Sequence, residues 1–299
     1  MSGGRLKRLL EALVGRSLLA GLGLSFIAVV VIVALFAPLF APYDPLEVDL
    51  TASKLRPSPE HPFGTDDLGR DIFSRVIYGA RISLSVGFLA TGLALLIGFS
   101  FGLLSGYAGG AVDRAVMSLT DITLAFPSLL LAIGVTIVLP PGIVTVFIAL
   151  GLVGWASFAR IIRGLVLELR EKEYVQAARS AGSGGLGVVR RHLIPNCLPT
   201  VVVLASLQVG SFMLAEAALS FLGLGVQPPV PTWGGMVNEG RDFLLSAPWF
   251  SVFPGMAIAL TILSFNVVGD TLRTNISRGG SLGAVTDVRR RREEKEVLA

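Results

Sequence analysis

Residues 173–199 read EYVQAARSAGSGGLGVVRRHLIPNCLP and form a charged island between two long apolar segments. Residues 174–180 are typical of a helix, and the glycines within 182–185 then permit backbone angles that a continuing helix does not need. A second short helix is predicted at 186–192, and Pro195 and Pro199 flank the start of the next segment. The pattern predicts a helix–turn–helix presented to a cytosolic partner, with an ordinary amphipathic hairpin between membrane helices as the simpler alternative.

The composition indicates an integral membrane protein. Of the 299 residues, 53% are hydrophobic and only 15% are charged. A bilayer span needs about 20 apolar residues, and runs without Asp, Glu, Lys or Arg meet this requirement at 17–43, 82–112, 122–159 and 243–269. The predicted fold class is therefore all-α, with about six transmembrane helices. They are placed at 17–40, 82–107, 115–139 (interrupted by Pro127), 143–158, 198–222 and 250–268.

The amino-terminal segment 1–16 is basic and directly precedes the first apolar run. A cleaved signal peptide is the alternative interpretation. However, the run at 17–40 is longer than a typical signal core and ends in prolines rather than at a small-residue cleavage site. We expect a cytoplasmic segment at 1–16 and a retained first span at 17–40.

The distribution of basic residues supports this orientation. With both termini inside, 19 of the 25 Lys and Arg lie on the cytosolic side: four before residue 17, Arg114, seven within 160–191 and seven in the tail 273–299. Basic residues favour the cytosolic side of a membrane. The tail 273–299 is therefore expected to be cytoplasmic.

The segment 41–81 is predicted to be an external loop rich in proline. Asp66 or Asp67 can cap a helix with one apolar face, which would lie along the outer membrane surface. The aspartates at 66, 67 and 71 lack the spacing of a calcium-binding loop. Helix capping and pairing with Arg70 or Arg75 is therefore favoured over a cation site.

The spacing within 176–195 resembles the cytoplasmic loop of permease subunits in ATP-binding-cassette (ABC) importers. That pattern is Glu-Ala-Ala, three residues, Gly, nine residues, Ile-x-Leu-Pro. Here Gln176 replaces the acidic residue, and His192 and Ile194 stand at the Ile and Leu positions, while the alanine pair, Gly182 and Pro195 keep the register. The stretches APYDP at 41–45 and HPFGTDDLGRDIFSRVIYGARISL at 61–84 closely resemble C-type subunits of dipeptide and oligopeptide importers, a branch that also holds nickel and glutathione permeases.

This resemblance implies the type I ABC importer permease fold, with a permease core at 82–272 and a cytoplasmic coupling helix, within the coupling loop 164–197, between spans four and five. It further implies a bacterial cytoplasmic (inner) membrane location and three kinds of partner: a second, related permease forming a heterodimer, two cytosolic ATPases and an extracytoplasmic substrate-binding protein. Dipeptides or oligopeptides are the expected cargo, with nickel complexes or glutathione left open. The residues expected to couple to the ATPases are Gln176, Ala177, Ala178, Gly182, Arg190, Arg191 and Pro195.

No catalytic motif is present in the sequence. A phosphate-binding loop needs Gly-Lys followed by Ser or Thr, and none of the four lysines follows a glycine. No Ser-His-Asp set or nucleic-acid-binding module is visible. A single cysteine, Cys197, and two distant histidines, His61 and His192, do not predict a metal site. We expect a non-catalytic subunit that binds no cofactor, with ATP and Mg²⁺ bound by partner ATPases.

Two acidic residues within predicted spans, Asp121 and Glu216, are candidates for the translocation pathway. Ionisable groups in a membrane are usually functional, which keeps a stand-alone secondary transporter open as an alternative. Glu216 either lines an outer gate or makes a buried hydrogen bond that fixes helix packing. Arg190 and Arg191 either adjoin the ATPase docking surface or only retain the loop inside.

Overall fold

The computed structural model describes the backbone of residues 17–297 and the side chains of residues 17–275, so the predicted segment 1–16 lies outside the described residues. Helices and connecting loops make up the described chain, together with one isolated β-bridge between Thr65 and Asp71. The helices are α1 (Leu18–Leu35), α2 (Ala37–Phe40), α3 (Ile72–Ala108), α4 (Gly110–Ala125), α5 (Ser128–Val138), α6 (Ile143–Arg170), α7 (Glu173–Ser180), α8 (Gly185–Val188), α9 (Ile194–Phe221), α10 (Trp233–Gly240) and α11 (Trp249–Val297). A π-helical turn, Val189–Leu193, joins α8 to α9, and single 3₁₀ turns lie at Leu50–Ala52 and Arg241–Phe243.

Five helical segments within the described residues are long and apolar enough to cross a membrane, and the pair α4–α5 makes up to six. The pair is bent by 91°. The bend falls at Phe126 and Pro127 because a residue that precedes proline is disfavoured in the helical region, and Phe126 is extended (φ −99°, ψ 145°). The predicted third span at 115–139 is therefore not one straight helix but two helices that meet at a sharp break.

Helices α3 and α6 form the centre of the bundle. Small residues along α3 allow their backbones to approach closely: a Cβ on Gly102 would lie 2.6 Å from the carbonyl oxygen of Ala159, and one on Gly106 would lie 2.8 Å from Cβ of Val166. Ala90 and Ala94 continue the same stripe and are fully buried. In lipid, such close approach is a main source of helix association. The stripe thus serves packing within the chain.

The segment before α3 differs from the prediction. No separate interfacial helix capped by Asp66 or Asp67 forms, because α3 begins at Ile72 and continues to Ala108 without a break. Its N-cap is Asp71, whose carboxylate accepts a hydrogen bond from the Ser74 amide (2.7 Å). The helix does not begin earlier because Gly69 has φ +77°, which lies outside the helical region. A side chain at Gly69 would also clash with the carbonyl of Asp49.

The bundle has two distinct ends because α3 connects them. We call the end that carries residues 41–71 the outer end and the end that carries the coupling loop 164–197 the inner end. Helix α1 packs on α3 and α11, while α10 lies at the outer end between α9 and α11. The predicted fourth and sixth spans are extended at the inner end, since α6 continues to Arg170 and α11 continues beyond residue 268.

Candidate functional site

The coupling loop contains a helix that ends in a glycine turn. At the end of α7, the Ser183 amide donates to the carbonyl of Ala178 (3.0 Å), and the Gly182 amide donates to that of Arg179 (3.0 Å). This pair of bonds is the Schellman motif, which requires a left-handed residue after the helix. Gly182 provides it with φ +84°. The special backbone angle that the sequence implied at Gly182 is therefore present.

The side chains of α7 divide into an anchor and an exposed face. Val175 is fully buried and fixes the helix to the core. Gln176 and Ala177 are exposed, Ala178 is half-buried, and the Gln176 amide donates to the carbonyl of Glu171 (3.2 Å). Beyond the turn, the Leu186 side chain is 82% exposed. A small-residue helix with an exposed leucine beside it is suited to contact another protein.

The part of the loop after the glycine turn differs from the prediction of a separate helix at 186–192. Helix α8 passes through the π-helical turn directly into α9, so 185–221 is one continuous helical segment. Pro195 lies in the first turn of α9, where its lack of an amide hydrogen is tolerated. The Ile194 amide donates to the carbonyl of Val189, five residues earlier, which is the spacing of a π-helical turn. Arg190 and Arg191 lie in the π-helical turn, and both are exposed.

Tyr107, at the inner end of α3, links the coupling loop to the membrane helices. Its hydroxyl lies so close to Gly185 that a Cβ there would be 2.7 Å away, and the Arg179 guanidinium lies over its ring at 5.4 Å from the centroid. Nearby, Arg170 donates to the carbonyl of Gly106 (3.3 Å). Tyr107 could not be identified from the sequence, because nothing along the chain indicates which distant residue an aromatic ring at a span end will contact.

The two candidate pathway acids lie in different environments. Asp121 on α4 is exposed and forms an ion pair with Arg160 of α6 (2.5 Å), which is also exposed. Glu216 on α9 is 1% exposed. The Glu216 carboxylate accepts hydrogen bonds from the hydroxyls of Ser220 (2.7 Å) and Ser83 (3.3 Å). The structure therefore does not bring Asp121 and Glu216 into one site.

The surroundings of Glu216 match the packing alternative. The Ser83 hydroxyl that donates to Glu216 also accepts from the backbone amide of Trp233 (3.3 Å), so the hydrogen bonds join α9, α3 and the start of α10. Trp233 is itself buried, and its indole donates to the carbonyl of Val76 (2.8 Å). A buried carboxylate whose oxygens are both hydrogen-bonded fixes three helices relative to one another.

Four charged residues form an ion-pair network at the outer end, and only part of it was predicted from the sequence. Arg70 pairs with Asp66 (2.6 Å), as predicted, and the fully buried Arg75 lies 3.6 Å from the same carboxylate. Both arginines also contact Glu239 of α10, at 3.1 Å and 2.8 Å. Glu239 is more than 160 residues away in sequence, so no local pattern could have identified it. We call these four residues the outer ion-pair network.

A small polar recess opens beside the α4–α5 bend. It has a volume of about 160 Å³ and lies between that bend, α6 and α9. Apolar side chains make up most of the wall. We call this cavity the polar recess. The residues that bring hydroxyl or amide groups to it are Thr123, Ser128, Ser157, Gln208 and Ser211.

Comparison with known proteins assigns the chain to a family. The model of the binding-protein-dependent transport system inner membrane component matches residues 98–279, and that of the N-terminal TM domain of oligopeptide transport permease C matches residues 16–57. The chain belongs to this family of transport permeases. The resemblance drawn from residues 41–45, 61–84 and 176–195 is thereby confirmed.

Several relatives resemble the permease over most of its length. It is 44% identical to the dipeptide transport system permease protein DppC of Alkalihalophilus pseudofirmus and 44% identical to the oligopeptide transport system permease protein OppC of Bacillus subtilis, each over 85% of the permease and 84% of the relative. It is 41% identical to the glutathione transport system permease protein GsiD of Pectobacterium atrosepticum, over 83% of both chains. The permease is thus a multi-pass membrane subunit.

Two solved structures share the fold at low sequence identity. The inward-facing MetNI methionine ABC transporter matches with a TM-score of 0.55 and 18% identity, covering 68% of the permease and 97% of that chain. An amino acid ABC transporter matches with a TM-score of 0.50 and 18% identity, covering 69% and 94%. At this identity the likeness concerns the fold alone, and it confirms the predicted importer permease fold.

Among the described residues, no group of three or more His, Cys, Asp or Glu is placed to hold a metal ion.

Proposed function

We propose that the permease forms half of the pathway of an ATP-driven importer that takes up dipeptides or oligopeptides delivered by a substrate-binding protein. The observation that carries this proposal is the coupling loop, whose Gly182 turn and exposed α7 face occur in a chain with peptide-permease relatives. Glutathione, the cargo named for GsiD relatives, is itself a small peptide and is the second candidate. Nickel complexes remain the third candidate cargo, to be compared with peptides and glutathione by measured uptake.

In the proposed complex with two cytosolic ATPases, this chain makes its contact through α7 and the residues that follow it. Gln176, Ala177 and Leu186 offer an exposed surface, while Val175 holds the helix to the core. Moving a two-state element from almost entirely one state to the other takes about 5.5 kcal/mol of differential interaction. A helix such as α7 can transmit this force because Val175 is buried in the core and the last turn is capped at Gly182. ATP and Mg²⁺ are bound by those partners, and this chain is non-catalytic.

The proposed surface for the second permease is the side formed by α4 and α5. Only Thr120 of α4 is buried, and α5 exposes Leu130, Ile137 and Val138. The polar recess opens on the same side, beside the α4–α5 bend. Its hydroxyl and amide groups match the uncharged amide bonds that all peptides share, which would allow passage without selecting particular side chains.

The stand-alone secondary transporter is less well supported than at the sequence level. That alternative depended on ionisable coupling groups within the membrane. Glu216 is hydrogen-bonded within a helix junction, and Asp121 is paired with Arg160.

Reconstitution tests the proposal. The permease is combined in vesicles with its partner permease, the ATPases and the binding protein, and uptake of a labelled dipeptide, a pentapeptide, glutathione and Ni²⁺ is measured with and without ATP. We expect ATP-dependent uptake of peptides. Uptake driven by an ion gradient in the absence of the ATPases would contradict the proposal.

The orientation in the membrane is a separate part of the proposal: both termini lie on the cytoplasmic side of a bacterial inner membrane. We test it with single cysteines in a Cys197→Ser background, because an impermeant thiol reagent reaches only one side. The positions changed to cysteine are Lys54, Arg241, Arg114 and Lys172. Positions 54 and 241 should be labelled from outside, and 114 and 172 only after permeabilisation. Outside labelling at 172 would overturn the orientation.

A further inference from the structure

A groove runs between α1 and α3 on the side of the bundle formed by the first span. Its volume is about 370 Å³. Val31, Ala34 and Leu35 line it from α1, and the apolar side chains of α3 that line it are Leu84, Phe88 and Leu89. The remaining lining residues, Arg81 and Ser85, are polar and also belong to α3. The groove therefore has an apolar floor and one cationic side chain.

The cation lines the groove where α1 ends. Leu35 is the last residue of α1, and Arg81, the tenth residue of α3, lines the same groove. Because the chain returns into α3 from the end of α1 that carries residues 41–71, Phe88 and Leu89 lie further along α3, away from that end. The 18 residues of α1 extend about 27 Å at 1.5 Å per residue, which is close to the thickness of the bilayer hydrocarbon, about 30 Å. Arg81 is thus near the level of the lipid phosphates, and the groove descends from it into the hydrocarbon.

Arg81 differs from the neighbouring arginines of the outer end. Arg70 and Arg75 are buried and paired with Asp66 and Glu239. Arg81 is exposed, and among the described side chains it has no acidic partner within ion-pair distance. A guanidinium at a lipid-facing position is costly unless it finds an anion, and its planar donors match a phosphate group.

The face of the chain around the groove is open. Only 17% of the spanning window of α1 is buried inside the chain, so a lipid can reach the groove from the bilayer unless another subunit covers it. A ligand that fits has one anionic phosphate at the level of Arg81 and an apolar chain about as long as the groove is deep. That combination is the chemistry of a glycerophospholipid.

We propose that this groove binds one glycerophospholipid with a net negative head group, its phosphate on Arg81 and an acyl chain between α1 and α3. A net anionic head group is favoured over a zwitterionic one because it carries no ammonium to offset the attraction to the guanidinium. The bound lipid would fill the space between the first span and α3. The proposal concerns lipid and does not depend on the identity of the cargo.

Photolabelling tests the site in the assembled transporter. The complex is placed in phosphatidylcholine vesicles containing phosphatidylglycerol with a diazirine on one acyl chain, irradiated and digested. We expect label on the peptides that contain 31–35 and 88–89, and about three- to tenfold less label in Arg81→Gln because the attraction of one basic side chain to the anionic lipid is lost. The same diazirine chain on phosphatidylcholine should label these peptides more weakly.

Two further variants separate charge from shape. Ser85→Phe keeps Arg81 but fills the groove from an exposed position, and it should also lower the label. Arg56→Gln removes an exposed arginine of the outer loop and should leave the label unchanged. Co-purification with the partner subunits checks that each variant assembles.

Three outcomes would overturn the proposal. One is equal labelling of wild type and Arg81→Gln, and another is equal labelling by the two phospholipids. The third is label that appears with the isolated permease but disappears in the assembled transporter, which would show that the groove is a surface between subunits.

Discussion

At its outer end the permease holds four charged side chains in one network, and three of them are buried, whereas two arginines of the coupling loop at the inner end are exposed and have no ion-pair partner among the described side chains. In the outer ion-pair network, Arg70 and Arg75 each reach both Asp66 and Glu239. In the coupling loop, Arg190 and Arg191 are exposed in the π-helical turn that precedes α9. The difference indicates that the charges of the outer ion-pair network are satisfied within the chain, while the charges of Arg190 and Arg191 remain available for contact with another molecule.

The largest expected effect is on stability, and it comes from removing Arg75 from the outer ion-pair network. Arg75→Met removes a fully buried charge and leaves Glu239 and Asp66 with only Arg70 between them. Removing one partner of a buried pair typically costs about 3–5 kcal/mol. We expect a loss of this size in the free energy of unfolding, measured in detergent by denaturant titration.

Arg241→Met is the matched control, because Arg241 pairs with Asp242 at 3.5 Å and both side chains are largely exposed. An exposed pair contributes about 0–1 kcal/mol. Equal losses for the two variants would show that the outer ion-pair network has no special role in stability.

The next effect concerns coupling rather than stability of the spans. Gly182→Val places a β-branched residue at φ +84°, where such residues are strained by about 1–3 kcal/mol. We expect α7 to lose its cap, and ATP-dependent uptake to fall strongly while the spans still insert and assemble. Uptake and co-purification with the ATPases are the measurements.

Gly184→Val is the control in the same turn. A Cβ at either glycine meets nothing within 4 Å, but Gly184 has φ −63°, which any residue can adopt. Comparable loss of uptake in both variants would mean that bulk in the turn, and not the backbone angle of Gly182, is what matters.

A smaller effect is expected at the link between the coupling loop and α3. Tyr107→Ala removes the ring that lies against Gly185 and under Arg179. A cation–π contact contributes about 0.5–1 kcal/mol at exposed sites, so we expect several-fold weaker stimulation of the ATPase by the loaded binding protein. Tyr107→Phe keeps the ring and should behave like wild type; identical activity of Tyr107→Ala would show that the link is not used.

The smallest effect is expected at Glu216. Glu216→Gln keeps the shape and most of the hydrogen bonding to Ser83 and Ser220, so uptake of cationic, neutral and anionic peptides should remain near wild type. Glu216→Leu instead leaves two buried hydroxyls without their acceptor, and about 1–3 kcal/mol of stability should be lost. If Glu216→Gln assembles normally but changes the preference for cargo charge, the gating hypothesis is correct and the packing interpretation is wrong.

The sequence determined the features that depend on neighbours along the chain. Apolar runs of bilayer length predicted the spans, because the hydrocarbon core fixes how many residues are needed. The glycines within 182–185 predicted a break in the helix with an unusual backbone angle, because glycine adopts angles that strain other residues; the structure has that angle at Gly182, with φ +84°. The spacing of the alanine pair, Gly182 and Pro195 within 176–195 indicated the resemblance to ABC importer permeases.

Only the tertiary structure decided the features that need residues far apart in sequence. Asp71, and not Asp66, caps α3, because Gly69 must turn against Asp49. The Glu216 carboxylate accepts hydrogen bonds from Ser83 of α3 and Ser220 of α9, and no pattern along the chain pairs residue 83 with residue 216. Charge and apolarity along a chain show that a side chain needs a partner, but the packing of helices from distant segments selects which partner it meets.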